Sequence, residues 1–322
     1  MKLDGGRVGV LPASDPASVS PWPHRLAVVL ACATFPLLFI GGLVTSKGAG
    51  LAVPDWPTTF GYNMFLYPWS KMIGNVFYEH SHRLMASFVG VLTIALAIIF
   101  WLRERGAWLR WLGIVALGLV IAQGILGGLR VILLQHTLAV IHACFAQAFF
   151  ALTVVLALFT SRQWRGEPTE APITDSGRLC RLGTITTVFI YVQIIFGAVL
   201  RHTGERLDAH LFFAGLVALH VILLILRVMK NHAANLKLVR LTCSLGFLLL
   251  LQLLLGTVSY FAKFAPLLRL PIDRVVLLTT THLLVGALML VTSLALTLQS
   301  YRLSATAKPA LGPNALTEPF SV

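Results

Sequence analysis

The sequence predicts an all-α integral membrane protein of eight transmembrane helices, and three observations carry that reading. Of 322 residues, 57% are hydrophobic and 11% charged, against roughly 25% charged in soluble domains. A soluble fold of this size has too little interior to hide so much apolar surface. The apolar residues fall into eight runs, about 26–45, 84–102, 109–129, 138–160, 182–200, 211–229, 241–261 and 275–298, each near the roughly 20 residues that span a bilayer core as a helix. The basic residues behind the net charge of +13 lie in short clusters between these runs, not in one patch. That is how membrane proteins carry charge, and it argues against nucleic acid as a partner.

In chain order, residues 1–25 form a polar, proline-containing tail without the apolar segment of a signal peptide, and read as a retained cytoplasmic tail. The first run ends on Gly41-Gly42, the third on Gly127-Gly128, and the fifth contains Gly197; small residues at such places let helices approach closely. With the N-terminus inside, the inner segments hold 16 of the 25 lysines and arginines, so both termini are expected to be cytoplasmic. Residues 26–160 and 182–298 then make two halves of four helices each. They are joined by a cytoplasmic linker, 161–181, and followed by a cytoplasmic tail, 299–322. The four cysteines, Cys32, Cys144, Cys180 and Cys243, are scattered, with no Cys-x-x-Cys pair. They support neither a disulfide framework nor a zinc site.

The halves repeat. Even-numbered runs carry His82-Arg-Leu-Met-Ala86, His142-Ala-Cys-Phe-Ala146, His210-Leu-Phe-Phe-Ala214 and His282-Leu-Leu-Val-Gly286. Odd-numbered runs carry Gln123, Gln193 and Gln252, each four residues before Gly127, Gly197 and Gly256; the first run keeps its glycines but lacks the glutamine. The expected architecture is two pseudo-symmetric four-helix bundles with functional groups at equivalent positions.

All even-numbered runs cross in the same direction, so the four histidines lie at one depth, near the outer surface. Two histidines on facing helices of a bundle can reach one iron from opposite sides, and imidazole is a usual axial ligand of haem. The small residue four positions on lies one turn along the same face and leaves room for a flat macrocycle. The other histidines fit less well. His24 and His232 fall in basic inner segments and read as solvated, His80 and His136 are loop-side neighbours, and His202 follows Arg201 in an outer loop. His220 rivals His210, because a histidine in mid-helix is costly in a membrane.

These residues also carry a resemblance. Gly41-Gly-Leu-Val-Thr-Ser-Lys-Gly-Ala-Gly-Leu-Ala-Val-Pro-Asp-Trp-Pro57 resembles the first outer loop of the heme A synthase family, and Glu79-His-Ser-His-Arg83 its Glu-x-x-His-Arg motif. Gly197-Ala-Val-Leu-Arg-His-Thr-Gly204 is similar to the loop entrance of its second half. The resemblance implies oxidation of the C8 methyl group of haem O to a formyl group, giving haem A for terminal oxidases. It implies a haem b cofactor on His210 and His282 in the C-terminal half. Substrate haem O would lie between His82 and His142 in the N-terminal half. A haem O synthase that hands over the substrate and an unidentified electron acceptor are the partners it suggests, and the lack of an Arg/Ser-rich, acid-poor transit segment points to a bacterial plasma membrane. A homo-oligomer stays open.

Glu79, three residues before His82 and on the same helical face, is placed to stabilise positive charge or accept a proton during the oxidation. Arg83 and Arg201, with Arg130 as a further candidate, stand at outer helix ends where they suit haem propionates. The sequence departs from the branch of the family with outer-loop cysteines, since it has Val53, Thr58 and Thr59 in that region. Two other classes compete. A di-haem cytochrome b that only carries electrons leaves Glu79 and the Pro-Asp-Trp-Pro loop without a purpose. A proton-relaying transporter requires broken helices and mid-membrane acids, and the sequence has neither.

Overall fold

The computed structural model describes residues 20–166, 176–265 and 268–305. Its long helices are α1 (Trp22–Ser46), α2 (Gly74–Arg103), α3 (Ala107–Leu133), α4 (His136–Thr160), α6 (Ser176–Thr203), α7 (Leu207–Asn231), α8 (Leu236–Lys263) and α9 (Ile272–Ala305), with a short α5 (Arg162–Arg165) between α4 and α6. The eight long helices are each apolar and long enough to cross a membrane. Their outward faces expose Val91, Ile98, Leu102, Leu226, Phe247 and Leu254, a surface that suits hydrocarbon and not water.

Turn chemistry sets the hairpins. Leu134, with φ 53, closes α3, and Gly204 (φ 77) and Arg206 (φ 64) reverse the chain between α6 and α7. The side chain of Asn235 accepts the N–H of Leu238 at 3.1 Å and starts α8, as a capping amide does. Helix α1 packs on α2 and α4, α2 on α3, and α3 on α4; likewise α6 packs on α7 and α9, α7 on α8, and α8 on α9. The two sets meet through α1 on α9, α4 on α6, and α4 on α9. One buried cluster lies within α1–α4, around Leu30, Val89, Phe100 and Leu156. The other fills α6–α9 around Val221, Leu245 and Leu296, and takes in Leu38 of α1 and Phe150 of α4.

The helices overrun the apolar runs from which they were predicted. Helix α2 starts at Gly74 and not at residue 84, because the loop before it supplies polar partners to Glu79, His80 and Arg83. His82 therefore sits about two turns into its helix. Arg201, expected at an outer helix end, and His202, expected in the outer loop, both belong to the last turn of α6. The tail boundary also moves, since α1 begins at Trp22, and α9 continues to Ala305. The expected tails at 1–19 and 306–322, and linker residues 167–175, lie outside the described residues. His24 and His232 are not solvated as expected. His24 Nδ1 bonds the carbonyl of Ala157 at 3.0 Å, tying α1 to the end of α4, and His232 is buried at the end of α7.

Close approach between α6 and α9 rests on Gly183. A Cβ there would lie 2.8 Å from Thr297 Oγ1, beside the Thr187 hydroxyl contacts to Ser293 at 2.8 Å and Thr297 at 3.1 Å. Gly183→Leu is expected to cost about 1–3 kcal/mol through overpacking, measured as earlier labelling of buried Cys144 and Cys180 by a thiol-reactive dye on heating. Gly118→Leu, where nothing lies within 4 Å of an added Cβ, should leave the midpoint unlowered.

Candidate functional site

Each of the four long hairpins places a glycine of its first helix against a histidine of its second. A Cβ built on Gly41 would lie 2.9 Å from Cε1 of His82, and one on Gly127 3.3 Å from Cε1 of His142. On Gly197 it would lie 3.2 Å from His210, and on Gly256 3.1 Å from His282. At Gly41 a Cβ would force the ring to shift, and at the other three the ring would have to give by a few tenths of an ångström. The glycines stand in the last turns of α1, α3, α6 and α8, and the histidines near the starts of α2, α4, α7 and α9. The repeat seen in the sequence is thus one contact made four times.

In the α6–α9 set the rings of His210 and His282 face each other, 6.3 Å between centroids and inclined by 66°. His220 is elsewhere. Its Nδ1 bonds the Leu216 carbonyl of its own helix at 2.9 Å, and its ring meets the edge of Phe189 at 4.7 Å. Amides reach the paired rings: Gln193 Nε2 lies 3.1 Å from His210 Nδ1, and Gln252 Nε2 3.2 Å from His282 Nε2. Gln123 instead donates to the backbone carbonyl of His142 at 3.0 Å. In the α1–α4 set, His82 and Arg130 lie near enough to His142 to act on it electrostatically. Among the described residues no three His, Cys, Asp or Glu side chains converge as they would around a bare metal ion. Paired imidazoles suit an iron whose other ligands come from a macrocycle.

The loop between α1 and α2 is built on the start of α2. The carboxylate of Glu79 accepts the N–H of Val53 at 2.9 Å through one oxygen and Arg83 Nη2 at 2.9 Å through the other. Arg83 donates further to the carbonyls of Asp55 at 2.8 Å, Thr58 at 3.0 Å and Val53 at 3.0 Å. His80, only 1% exposed, shares a hydrogen bond with the Thr59 hydroxyl at 3.2 Å and packs on Tyr67 at 5.1 Å. Trp56 lies directly over Gly128, where any Cβ would run into its indole. Arg130 donates to the Gly50 carbonyl at 3.4 Å. The Pro-Asp-Trp-Pro and Glu-x-x-His-Arg motifs are therefore one structural unit. Arg83, expected to meet a propionate, spends its guanidinium on the loop.

His80, Asp55 and Trp56 carry parts that sequence reasoning missed. The Asp-x-x-Thr spacing of Asp55 and Thr58 was the available signal of a side-chain turn. Arg201 stands between the two helix sets, donating to Thr279 O of α9 at 3.2 Å and to Gly42 O of α1 at 2.7 Å. It also contacts Ser46 Oγ at 2.5 Å, while its Nε is buried without a partner.

Eight apolar helices with paired, helix-embedded histidines define a multi-pass membrane protein. Residues 24–212 match the cytochrome oxidase assembly proteins (COX15-CtaA), and the chain belongs to that family. The matched stretch includes His82, His142 and His210, and ends before α8 and α9. The chain is 31% identical over 186 residues to the heme A synthase of Shouchella clausii (strain KSM-K16), covering 57% of this chain and 60% of the relative. It is 28% identical over 196 residues to that of Bacillus pumilus (strain SAFR-032), covering 58% and 62%. To that of Beijerinckia indica subsp. indica it is 31% identical over 217 residues, covering 56% and 57%. The similarity thus spans about 60% of the length of these relatives.

Asp55 gives the loop a pH dependence. Partial burial opposes its charge, but the N–H of Gly61, the hydroxyl of Thr58 and the N–H of Phe60 outweigh it and hold the carboxyl at about 2, below the usual 3.8. A depressed carboxyl stabilises the fold above its unfolded value and loses that contribution as pH falls through its folded value. Amide exchange over the 54–62 peptide, corrected for intrinsic rates, should stay protected at neutral pH and lose protection between about 4 and about 2. Asp55→Asn should lower protection already at neutral pH and abolish the step.

Proposed function

We propose that this chain is a heme A synthase, oxidising the C8 methyl group of haem O to a formyl group to give haem A for terminal oxidases. The observation that carries the reading is the repeated glycine–histidine contact with its His210–His282 pair. Two imidazoles on one iron at metal–nitrogen bonds of about 2 Å put their ring centres about 6 Å apart, and these stand at 6.3 Å. The buried, unpartnered Nδ1 of His282 and the bare faces of Gly197 and Gly256 fit the same assignment. The chain thus reads as two pseudo-symmetric four-helix bundles, 26–160 and 182–298. The closing contacts of α4 on α1 and α9 on α6 support this, as do the matched crossings of α1 on α9 and α6 on α4. Both termini face the cytoplasm of a bacterial plasma membrane, and the histidines lie towards the outer face.

His210 and His282 would hold a resident haem b, which when bound supplies one-electron redox chemistry. His82 and His142 would bind substrate haem O. Arg201, with its partnerless Nε, and Arg130 suit the propionates, a task from which the loop bonds of Arg83 remove it. Both oxygens of Glu79 are engaged, so its role is a fixed negative charge one turn from His82. That charge stabilises positive charge developing at the reacting edge rather than taking up a proton. A haem O synthase supplies the substrate, and an electron acceptor in the membrane removes the electrons.

Purification after co-expression with a haem O supply, followed by haem extraction and chromatography, is expected to yield haem A or its hydroxylated precursor together with haem b. Haem b without conversion would indicate an electron carrier instead. His210→Ala is expected to lose bound haem b and His220→Ala to keep it; the reverse pattern would overturn the ligand assignment.

A further inference from the structure

The two histidine pairs differ in what holds their rings. On α6 and α8, Gln193 and Gln252 each lie four residues before the glycine that faces the histidine, so amide and glycine share one helix face. Both amides reach ring nitrogens, at 3.1 Å and 3.2 Å. The Oε1 atoms of both are buried without a partner. An imidazole that gives one nitrogen to iron keeps an N–H on the other, and an acceptor for that N–H fixes the ring and raises its basicity. A glutamine presents N–H₂ and C=O at the same terminus, so these two side chains can hold a ring whether or not iron is bound.

In the first half the same register is occupied differently. Gln123 donates to the backbone carbonyl of His142 and not to its ring. Leu37, partly buried against the first-half core, stands four residues before Gly41. Nδ1 of both His82 and His142 is buried without a hydrogen-bond partner, as is that of His282, so what separates the halves is the amide on a ring nitrogen and not the bare Nδ1.

We infer that Gln193 and Gln252 are positioning residues that lock the second-half imidazoles onto a permanently held haem. The absence of such an amide at His82 and His142 makes the first-half pair the site from which haem exchanges. This rests on the haem reading above. A resident cofactor must stay through many turnovers, and a substrate must enter and its product leave. The same glycine–histidine frame serves both ends when the ring is clamped in one half and free in the other.

The test uses the full chain in nanodiscs, loaded with haem b, with apomyoglobin as the haem acceptor. Gln193→Leu and Gln252→Leu are each expected to speed haem loss about 10–100-fold and to raise the midpoint potential of the haem that remains. Gln252→Glu, a stronger acceptor, should retain haem and lower the potential, a response that a packing role would not produce. Leu37→Gln should slow exchange from the first-half site, while Leu37→Met, of similar size but without the amide, should not. Wild-type release rates and potentials in both leucine variants would overturn the inference while leaving the haem reading intact. Wild-type protein that binds no haem would overturn both.

Discussion

The structure depends on a bare glycine face meeting an imidazole. Between helices in a bilayer the hydrophobic effect supplies no attraction, because lipid tails are as apolar as the side chains. Close packing and polar contacts must do the work. A histidine in such a setting is expensive unless it faces the protein interior and finds partners. Removing the Cβ opposite it allows the close packing, since the helices approach until the ring lies on the neighbouring backbone, but it supplies no hydrogen-bond partner, and Nδ1 of His82, His142 and His282 stays without one. With Gly41, Gly127, Gly197 and Gly256 placed alike against their histidines, the four rings keep equivalent positions in four hairpins.

Around that frame the polar groups divide into those that shape the site and those that join its parts. The start of α2 turns Glu79, His80 and Arg83 towards the preceding loop, and almost every bond they make goes to it. Arg201 performs the joining. It rises from the last turn of α6 and bonds α1 and α9, beside Gly42, whose missing Cβ lets Thr280 in. Gly41 and Gly42 therefore look two ways, one towards His82 and the other towards the segment that leads to His282. The neighbourhood of one histidine pair is in this way built partly from the helix that serves the other.

Much of this was legible in the sequence. The eight spans and the repeated registers of the histidines and of the glycines follow from spacing, because a helix converts spacing into a shared face; that each glycine meets a histidine is seen only in the structure. The sequence favoured His210 over His220 through the repeat and the length of helix that follows it, and left the choice open. In the structure the difference is plain, since His220 turns back to its own backbone at Leu216. What the sequence hid were bonds to main-chain carbonyls. Arg83 looked available for a propionate because nothing in the pattern says that the carbonyls of Val53, Asp55 and Thr58 converge on it. The helix starts were hidden for a related reason. The apolar run gives no sign that α2 begins as early as Gly74, and the solvated reading of His24 failed because the Ala157 carbonyl across the bundle has no side-chain signature.

The glutamines show how one repeated unit acquires two behaviours. All three sit one turn before their glycine, which makes them equivalent in sequence, yet only two reach a ring. The third bonds a carbonyl, and its Oε1 is buried and unpartnered like theirs. Since backbone frame and ring position are common to all four hairpins, the difference between the halves lies in a few side-chain atoms rather than in the fold. If the glutamines clamp as proposed, a change as small as leucine for glutamine in that register is what would separate a site that keeps its haem from one that releases it.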